Sequence, residues 1–556
     1  MTMTKTAAPP TPEAGPDGGR PAVPGRVRRW LYPLVVALIL GQMAVAMVTA
    51  AVQQTPTIDE PVYVGAALWQ IQEHSLAYNP EHPPLGKLLI GAGLVFSGAD
   101  VDPAFEGDQG ALGRHVLYES GYDPWRLMLL ARLPVIVLTL LFGLVVFAFA
   151  RDVAGPLAGL VALALYAFSP DVIAHGSLAT LDLPVVGFLL TSVWLVWRAR
   201  RRPRLYVPLA ALALGAALAT KMSALPAVPV LLSLVILSVW SAGGRSRRSA
   251  AWGLGAAAGA AVIAVAVVWV AYLAVDPRLD WVSPPEVPAS GGLRGLVAGL
   301  LPFPEAYRDG LRIQFAFEDS RWSGYLFGEL YSGGRWYYLP AALLVKSPLG
   351  AIVLWLAGAV AMLAAPRMRA AAPYVLVPAA VLLGVAMTGS RDFGTRYALV
   401  VPVFLAVTAA AVMTVRWRWA RIGAAVLVLF VAVSSLRTFP YYMPYSNEAF
   451  GGPARTHEHL HDSNVDWGQD LGRLADRLRD RYAGERIWLV YKGSGVPSWY
   501  GIEASDPLAV PAGEVRGLLV VSDSSVAKAT GPLAALIRTS EPIDSVGHSI
   551  TIYRRP

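Results

Sequence analysis

The sequence predicts a polytopic α-helical membrane protein of about eleven transmembrane helices with a small C-terminal α/β domain. Three observations lead there. The chain has 556 residues, of which 55% are hydrophobic and only 15% charged, whereas soluble domains carry about a quarter charged residues. Apolar runs of near-membrane length recur between residues 31 and 436. Beyond residue 440 the chain turns polar and shows short strand-like runs, "RIWLVY", "GLLVVS" and "SITIYR", with a helical pattern around "DLGRLADRLRDRY".

The formal net charge of +8 does not indicate a nucleic-acid partner, because the basic residues sit in short clusters between apolar runs, as topology determinants do. Cysteine is absent, which excludes disulfides, thiolate metal sites and cysteine nucleophiles.

Residues 1–28 are rich in Pro, Gly, Ala and Thr and are expected to be a disordered cytoplasmic N-terminus. The apolar run starting near residue 31 is too long for the core of a signal peptide and reads as a retained anchor helix. The spans expected are 31–52, 127–150, 154–169, 182–197, 206–220, 224–240, 251–275, 340–364, 372–388, 397–415 and 420–436. Arg26, Arg28 and Arg29 precede the first; Arg151, the Arg198–Arg204 cluster, Arg245–Arg248, Arg367 with Arg369, and Arg416–Arg421 occupy every second connection after it. This alternation satisfies the positive-inside rule for a multi-pass protein of the plasma membrane with a cytoplasmic N-terminus. It also requires two crossings, not one, between 206 and 240.

The same parity puts the loops 53–126 and 276–339 and the C-terminal region 438–556 on the outer side of a membrane domain spanning 29–437. Within those loops, "PVYVGAALWQIQ", "GGLRGLVAGLL" and "YRDGLRIQFAF" have the apolar spacing of helices that lie in the membrane interface.

Four groups of reactive side chains fall on that outer side. Asp59 and Glu60 follow the first span directly. "NPEHPPLGKLL" holds Glu81, His82 and Lys87 around two prolines that stiffen the chain. Asp182 opens the fourth span, with Asp171 and His175 before it. Lys221, Lys346, Arg391 and Arg396 form a cationic group, which Arg132 in the second span joins. Each has a structural alternative: Asp182 as a helix cap, Lys221 and Lys346 as snorkelling chains, His82 as a structural hydrogen bonder, Arg391 and Arg396 as loop charges. Together they suit a substrate whose tail lies in the bilayer and whose phosphate-linked sugar sits at its surface. Cations would bind the phosphate and steady the charge left on it, while a carboxylate takes the proton of an attacking hydroxyl.

The motifs resemble the GT-C-type membrane glycosyltransferases of family 39, which comprises protein O-mannosyltransferases and the bacterial lipid A aminoarabinose transferase. Asp59-Glu60 is similar to that family's first-loop acidic motif, "HPPLGK" to its His-Pro-Pro-x-x-Lys motif, and "AHGSLATLDLP" to the bacterial pattern around a second acid, here Asp182. "LATKMSALP", "LVKSPL", "FGTRYALVVP" and "PYSNEAFGGPARTHEHLHDSNVDWGQDL" look like further family segments. The resemblance implies inverting transfer of a hexose or pentose from a polyprenyl-phosphate donor to a hydroxyl of a protein, glycan or lipid acceptor. It implies Asp59 as base, supported by Glu60 and Asp182; Lys87, Arg132, Lys221, Lys346, Arg391 and Arg396 at the donor phosphate; and Glu81, His82 and His175 in acceptor or loop support. The chain lacks the carbohydrate-binding β-trefoil repeats of the eukaryotic mannosyltransferases.

No cofactor is required, although Asp59, Glu60 and His82 are the types of side chain a divalent metal takes. "HDSNVDWGQDL" departs from a calcium loop, since Arg473 stands where the closing Glu would be. Asp466 and Gln469 read as a capping box for the helix that follows. The competing function is a lipid or glycolipid flippase, which calls for polar groups at mid-bilayer and internal repeats; the spans here are uncharged at their centres.

Overall fold

The computed structural model describes residues 25–285, 287–289 and 291–556. Of the expected N-terminal segment, residues 1–24 therefore lie outside the described residues. The chain runs through α1 (Gly25–Gln53), α2 (Glu60–Gln72), α3 (Pro84–Leu94), α4 (Gln109–Arg114), α5 (Pro124–Ala154), α6 (Pro156–Ala167), α7 (Pro170–Gly176), α8 (Asp182–Ala199), α9 (Pro203–Thr220), α10 (Ala227–Ala242) and α11 (Arg247–Val275). There follow α12 (Gly292–Leu300), α13 (Glu305–Asp319), a hairpin of β1 (Ser323–Leu326) and β2 (Glu329–Ser332), α14 (Tyr338–Lys346), α15 (Leu349–Ala364), α16 (Ala372–Ala386), α17 (Val400–Ala409) and α18 (Arg418–Thr438).

Each of the eleven apolar stretches is helical. Among the described residues, six helices are long and apolar enough to cross a membrane: α1 from Trp30, α5, α8, α9, α11 and α18. Two further stretches are bent pairs, α6 with α7 at 63° and α14 with α15 at 118°; the rest are apolar helices of 10–17 residues. The stretch 340–364, expected as one span, is thus broken in two. Pro348 supplies no N–H and drives Ser347 out of the α region, to ψ 136°.

Small residues let the elements approach closely. A Cβ on Gly65 of α2 would lie 3.1 Å from the backbone of Gly113 in α4, and one on Gly113 would lie 2.3 Å from the Pro61 carbonyl oxygen. The α2 helix is consequently packed inside the protein, burying Tyr63, Val64, Ala67 and Leu68, and does not present an apolar face as the sequence suggested. The α12 helix does present one, through Leu293, Leu296, Val297 and Leu300.

The C-terminal region contains α19 (Thr456–His459), α20 (Leu471–Arg481) and a four-stranded sheet of β3 (Ile487–Val490), β4 (Gly517–Ser522), β5 (Glu541–Val546) and β6 (Ile550–Arg555) in the order β3-β4-β6-β5. Only β3 and β4 are parallel; the other pairs are antiparallel. The two-residue alternation of β4 serves both faces. Leu518 and Val520 pack with Leu471, Leu474 and Leu478 of α20, while Leu519 and Val521 pack with Trp488, Leu536 and Tyr553. Sequence reading missed β5, "EPIDSV", because an edge strand containing a proline carries no apolar alternation.

Two sets of buried contacts fix the loop after α1. In the first, Glu60 and Arg132 of α5 are fully enclosed and joined by two bonds, Nε to Oε1 at 2.7 Å and Nη2 to Oε2 at 2.6 Å. The remaining guanidinium donors go to the carbonyls of Ala51, Gln54 and Thr55. Glu60 also accepts from Thr57 N, Thr57 Oγ1 and Ala179 N. In the second, Thr55 N donates to Gln469 O at 3.0 Å, Thr55 Oγ1 to Gly468 O at 2.9 Å, and Ile58 N to Trp467 O at 3.0 Å. The segment 464–469 is therefore a wall for residues 55–58. Asp466 and Gln469 do not form a capping box, because α20 starts at Leu471. Asp466 Oδ1 instead accepts from Gly468 N, and Gln469 Oε1 from Trp467 N, closing a local turn.

Two outcomes follow from these contacts. Removing one partner of a buried ion pair strands the other, at a cost of about 3–5 kcal/mol. Glu60→Gln is expected to lower the unfolding free energy of the purified protein by about that amount, read from its denaturant midpoint; an unchanged midpoint would refute the clamp. Asp466 is buried, and burial pushes its carboxyl up to about 7 against the opposing Gly468 amide. The folded chain then keeps a proton that the unfolded chain releases near pH 4, so stability falls as pH rises from about 4 to about 7. Asp466→Asn should flatten that part of the stability–pH curve, and an identical slope in both proteins would count against it.

Candidate active site

The clamp leaves Asp59 at the N-terminus of α2 with its side chain 29% exposed. Arg396, between α16 and α17, holds one oxygen: Nη1 reaches Asp59 Oδ2 at 2.5 Å. Arg396 is itself fixed by Tyr397, whose hydroxyl accepts from Nη2 at 3.1 Å, and by Trp467, whose ring centre lies 4.3 Å from the guanidinium carbon. Asp59 Oδ1 stays open. Adjacent acids thus have opposite surroundings: Glu60 is saturated inside, and Asp59 is half-paired and partly exposed.

Asp182 begins α8, where it is buried, and its Oδ1 accepts from Lys221 Nζ at 2.6 Å. The other oxygen, Oδ2, has no partner. Ala179, bonded to Glu60, lies three residues before Asp182, so the clamp spaces the two acids through one short turn. Lys221, with 12% of its side chain exposed, also lies 5.8 Å from the Tyr397 ring centre. Arg391 pairs with Glu318 of α13, Nε to Oε1 at 2.8 Å, and donates from Nη2 to Gln314 Oε1 at 2.9 Å; it remains 22% exposed. Gln314 in turn donates to Glu81 O at 3.0 Å, so α13 bridges the Arg391 loop and the HPP loop.

The other expected phosphate-binding cations are spent on backbone. Lys87 Nζ donates to Asn79 O at 2.6 Å and His82 O at 2.8 Å, tying down the loop before the two prolines. Lys346 donates to Met443 O and Asn464 O and lies 3.4 Å from Asp171 Oδ1. Arg132 has all five donors engaged in the clamp. All three are enclosed. Glu81 accepts from Gln109 Nε2 at 2.8 Å, a loop contact. His175 is buried behind Trp467, ring centres 6.2 Å apart.

His82 is half-buried, with Nδ1 unpartnered. Burial pushes its imidazole well below the ordinary value, and the ammonium groups of Lys221 and Lys87 act the same way. The ring is therefore neutral at physiological pH and can accept or donate one hydrogen bond. Tyr63, one helical turn after Asp59, lies 5.8 Å from His82 between ring centres and is acted on by the charges of Asp59, Asp182, Arg396 and Glu81. Sequence reading missed Tyr63, Tyr397, Trp467, Gln314 and Glu318. Position alone pointed to two of them, Tyr63 at i+4 from Asp59 and Tyr397 beside Arg396.

Buried polar atoms without partners are rare in folded proteins. Here Asp182 Oδ2, His82 Nδ1, His175 Nδ1, Arg396 Nε, Thr180 Oγ1 and Thr395 Oγ1 belong to the residues of this region or their immediate neighbours. A divalent metal does not fit the set Asp59, Glu60 and His82, because both Glu60 oxygens are filled by Arg132, Thr57 and Ala179. Among the described residues no group of three or more acidic or histidine side chains is arranged to hold a metal ion.

A family model for dolichyl-phosphate-mannose-protein mannosyltransferases matches residues 60–276, the stretch carrying "HPPLGK", Asp182 and Lys221. Among solved structures, ArnT from Cupriavidus metallidurans in the apo state aligns over 95% of this chain and 98% of its own, with 14% identity and a TM-score of 0.50. The same protein bound to undecaprenyl phosphate aligns over 96% and 98%, with 15% identity and a TM-score of 0.47. The S. cerevisiae protein O-mannosyltransferase Pmt1-Pmt2 complex bound to the sugar donor aligns over 44% and 33%, with 18% identity and a TM-score of 0.34. No curated protein matches the chain. The apo ArnT alignment shows one fold over nearly the whole length of both chains, and the family-model match covers residues 60–276 of this multi-pass membrane protein.

Proposed function

We propose that the protein moves a sugar from a polyprenyl-phosphate-linked donor to a hydroxyl acceptor at the outer membrane face, with inversion, and that Asp59 is the base. The family model is named for dolichyl-phosphate-mannose enzymes, which supports a lipid-phosphate donor. The observation that carries the assignment of the base is the contrast between the two adjacent acids: Glu60 has no oxygen to offer, whereas Asp59 is partly exposed with one open oxygen and the other held by Arg396.

In this reading the acceptor hydroxyl gives its proton to Asp59 Oδ1 as its oxygen bonds to the anomeric carbon. The bond from that carbon to the phosphate oxygen breaks, and its electron pair leaves with the lipid phosphate. Nucleophile and leaving group occupy opposite faces of the sugar in an inverting displacement. The cation paired with the base is thus a poor candidate for the phosphate. Arg396 orients Asp59, and Lys221 with Arg391, the other partly exposed cations, receive the phosphate and balance its charge. Asp182 holds Lys221 with one oxygen and offers the other to a sugar hydroxyl. Arg132, Lys87 and Lys346 are positioning residues that hold the loops and touch no substrate.

Asp59→Asn is expected to lower turnover from a polyprenyl-phosphate sugar by about 10²–10⁴-fold, the usual contribution of a general base, with KM and the denaturant midpoint little changed. Lys221→Ala should raise KM for the donor. Undiminished turnover in Asp59→Asn would remove Asp59 as base. Donor movement across sealed vesicles without any glycosylated product would replace the transferase reading with the flippase.

A further inference from the structure

At the far end of the helices from Asp59 lies a second cationic site that the transfer reaction leaves unused. The ends of five helices meet there: the last turn of α5, the start of α6, the residues after α15, the end of the α17 segment and the start of α18. They line an open crevice of about 520 Å³ that includes the exposed Arg367, Arg416 and Arg421, together with Gly155, Met413 and Thr414. The distance from the active site follows from helix rise. From Arg132 to Ala154 along α5, or along the 21 residues of α18, is roughly 30–33 Å, the thickness of a bilayer's hydrocarbon core.

The three guanidinium groups lack counter-ions. Among the described residues none has a carboxylate within the 4.0 Å of an ion pair, and the nearby acid, Asp152, is committed to Arg198 and Trp194. Arg367 is held in place by a bond to the Thr414 carbonyl. The rim is apolar and aromatic. Trp417 and Trp419 are largely exposed next to Arg416 and Arg421, Arg418 lies 4.9 Å over the Trp419 ring, and Leu157 and Ile422 are exposed beside them. Tryptophans between arginines and bare aliphatic side chains mark the level where head groups meet acyl chains. Like charges brought together without acids raise the local positive potential, and a cluster that existed only to set topology would not need to line one crevice. Arginine is suited to phosphate through paired N–H donors.

We propose that this crevice binds the phosphodiester head group of an anionic phospholipid in the leaflet opposite Asp59. The head group bridges Arg416 and Arg421 with Arg367 at its base, and the acyl chains follow the exposed faces of α6 and α18.

The test is native mass spectrometry of the full-length protein released from nanodiscs of phosphatidylcholine containing a minority of phosphatidylglycerol. The wild-type chain should retain one phosphatidylglycerol in preference to phosphatidylcholine. The variant R367Q/R416Q/R421Q should lose that retention by at least about tenfold, as expected for the removal of several cations from a charged-lipid contact. The variant R245Q/R247Q/R248Q removes the same net charge from another connection and should keep it. Equal loss in both triple variants would reduce the effect to net charge and overturn the site. Displacement of the lipid by millimolar inorganic phosphate would overturn the lipid as occupant in favour of the free anion. If the triple variant does not fold, R416Q and R421Q singly serve the same comparison, and wild-type retention by both would refute the proposal.

Discussion

The Glu60–Arg132 ion pair is the contact on which the rest of the site depends. It is fully enclosed, and its value is not its Coulomb energy, which desolvation largely cancels. Its value is the number of chain segments it gathers. Five guanidinium donors and six backbone or hydroxyl groups tie the end of α1, the loop 54–60, the α5 helix and the turn at Ala179 to one point. Asp59 is one residue from that point and Asp182 is three residues beyond Ala179. The two acids with open oxygens are therefore held in register by a pair of residues that takes no part in chemistry itself.

The segment 461–469 completes the frame from the other side. Asn464 donates to the Tyr338 hydroxyl and accepts from Thr395 N, beside Arg396. Ser463 Oγ donates to Phe393 O, and Lys346 reaches Asn464 O. Trp467 gives Arg396 a flat apolar seat and its carbonyl to Ile58. The C-terminal region thus borders the candidate site: it seats the guanidinium that pairs with Asp59. The break at Ser347-Pro348 comes directly after Lys346, whose ammonium group meets the Met443 and Asn464 carbonyls.

Much of this was legible in the sequence. The apolar periods located helical stretches, of which six among the described residues are long and apolar enough to cross a membrane, or eight with each bent pair as one span, and the residues that the expected topology grouped, Asp59, His82, Asp182, Lys221, Arg391 and Arg396, lie in one region of the structure. What was not legible was which of those groups were already satisfied. Arg132 and Lys221 read alike as cations at span ends, yet the first is consumed by a glutamate 72 positions away and the second shares its carboxylate with an open oxygen. Pairings of that separation leave no local pattern. Lys87 illustrates the same limit at short range: the prolines correctly indicated a rigid loop, but its ammonium group turned back onto the carbonyls of Asn79 and His82. The α2 helix failed for a related reason. Its apolar face matched an interfacial helix, and only the Gly65–Gly113 contact shows that protein, not lipid, covers it.

A chain with so few charges makes satisfaction itself informative. In a low-dielectric interior an unpaired polar atom costs about 1–3 kcal/mol, so selection for stability alone would pair or remove it. Glu60, Arg132, Lys87 and Lys346 follow that rule completely. Asp182 Oδ2, His82 Nδ1 and Arg396 Nε violate it within one region, next to the open oxygen of Asp59. Unpartnered buried atoms also occur elsewhere in the chain, at Gln70, Tyr307 and His461 among others, but those beside Asp59 are the ones a substrate of the proposed reaction would fill. A hydroxyl-rich sugar bearing a phosphate matches their mixture of acceptors and cations, and an apolar cargo awaiting passage does not. The pattern of what the fold leaves unsatisfied therefore favours chemistry on a glycosyl phosphate over simple movement of a lipid.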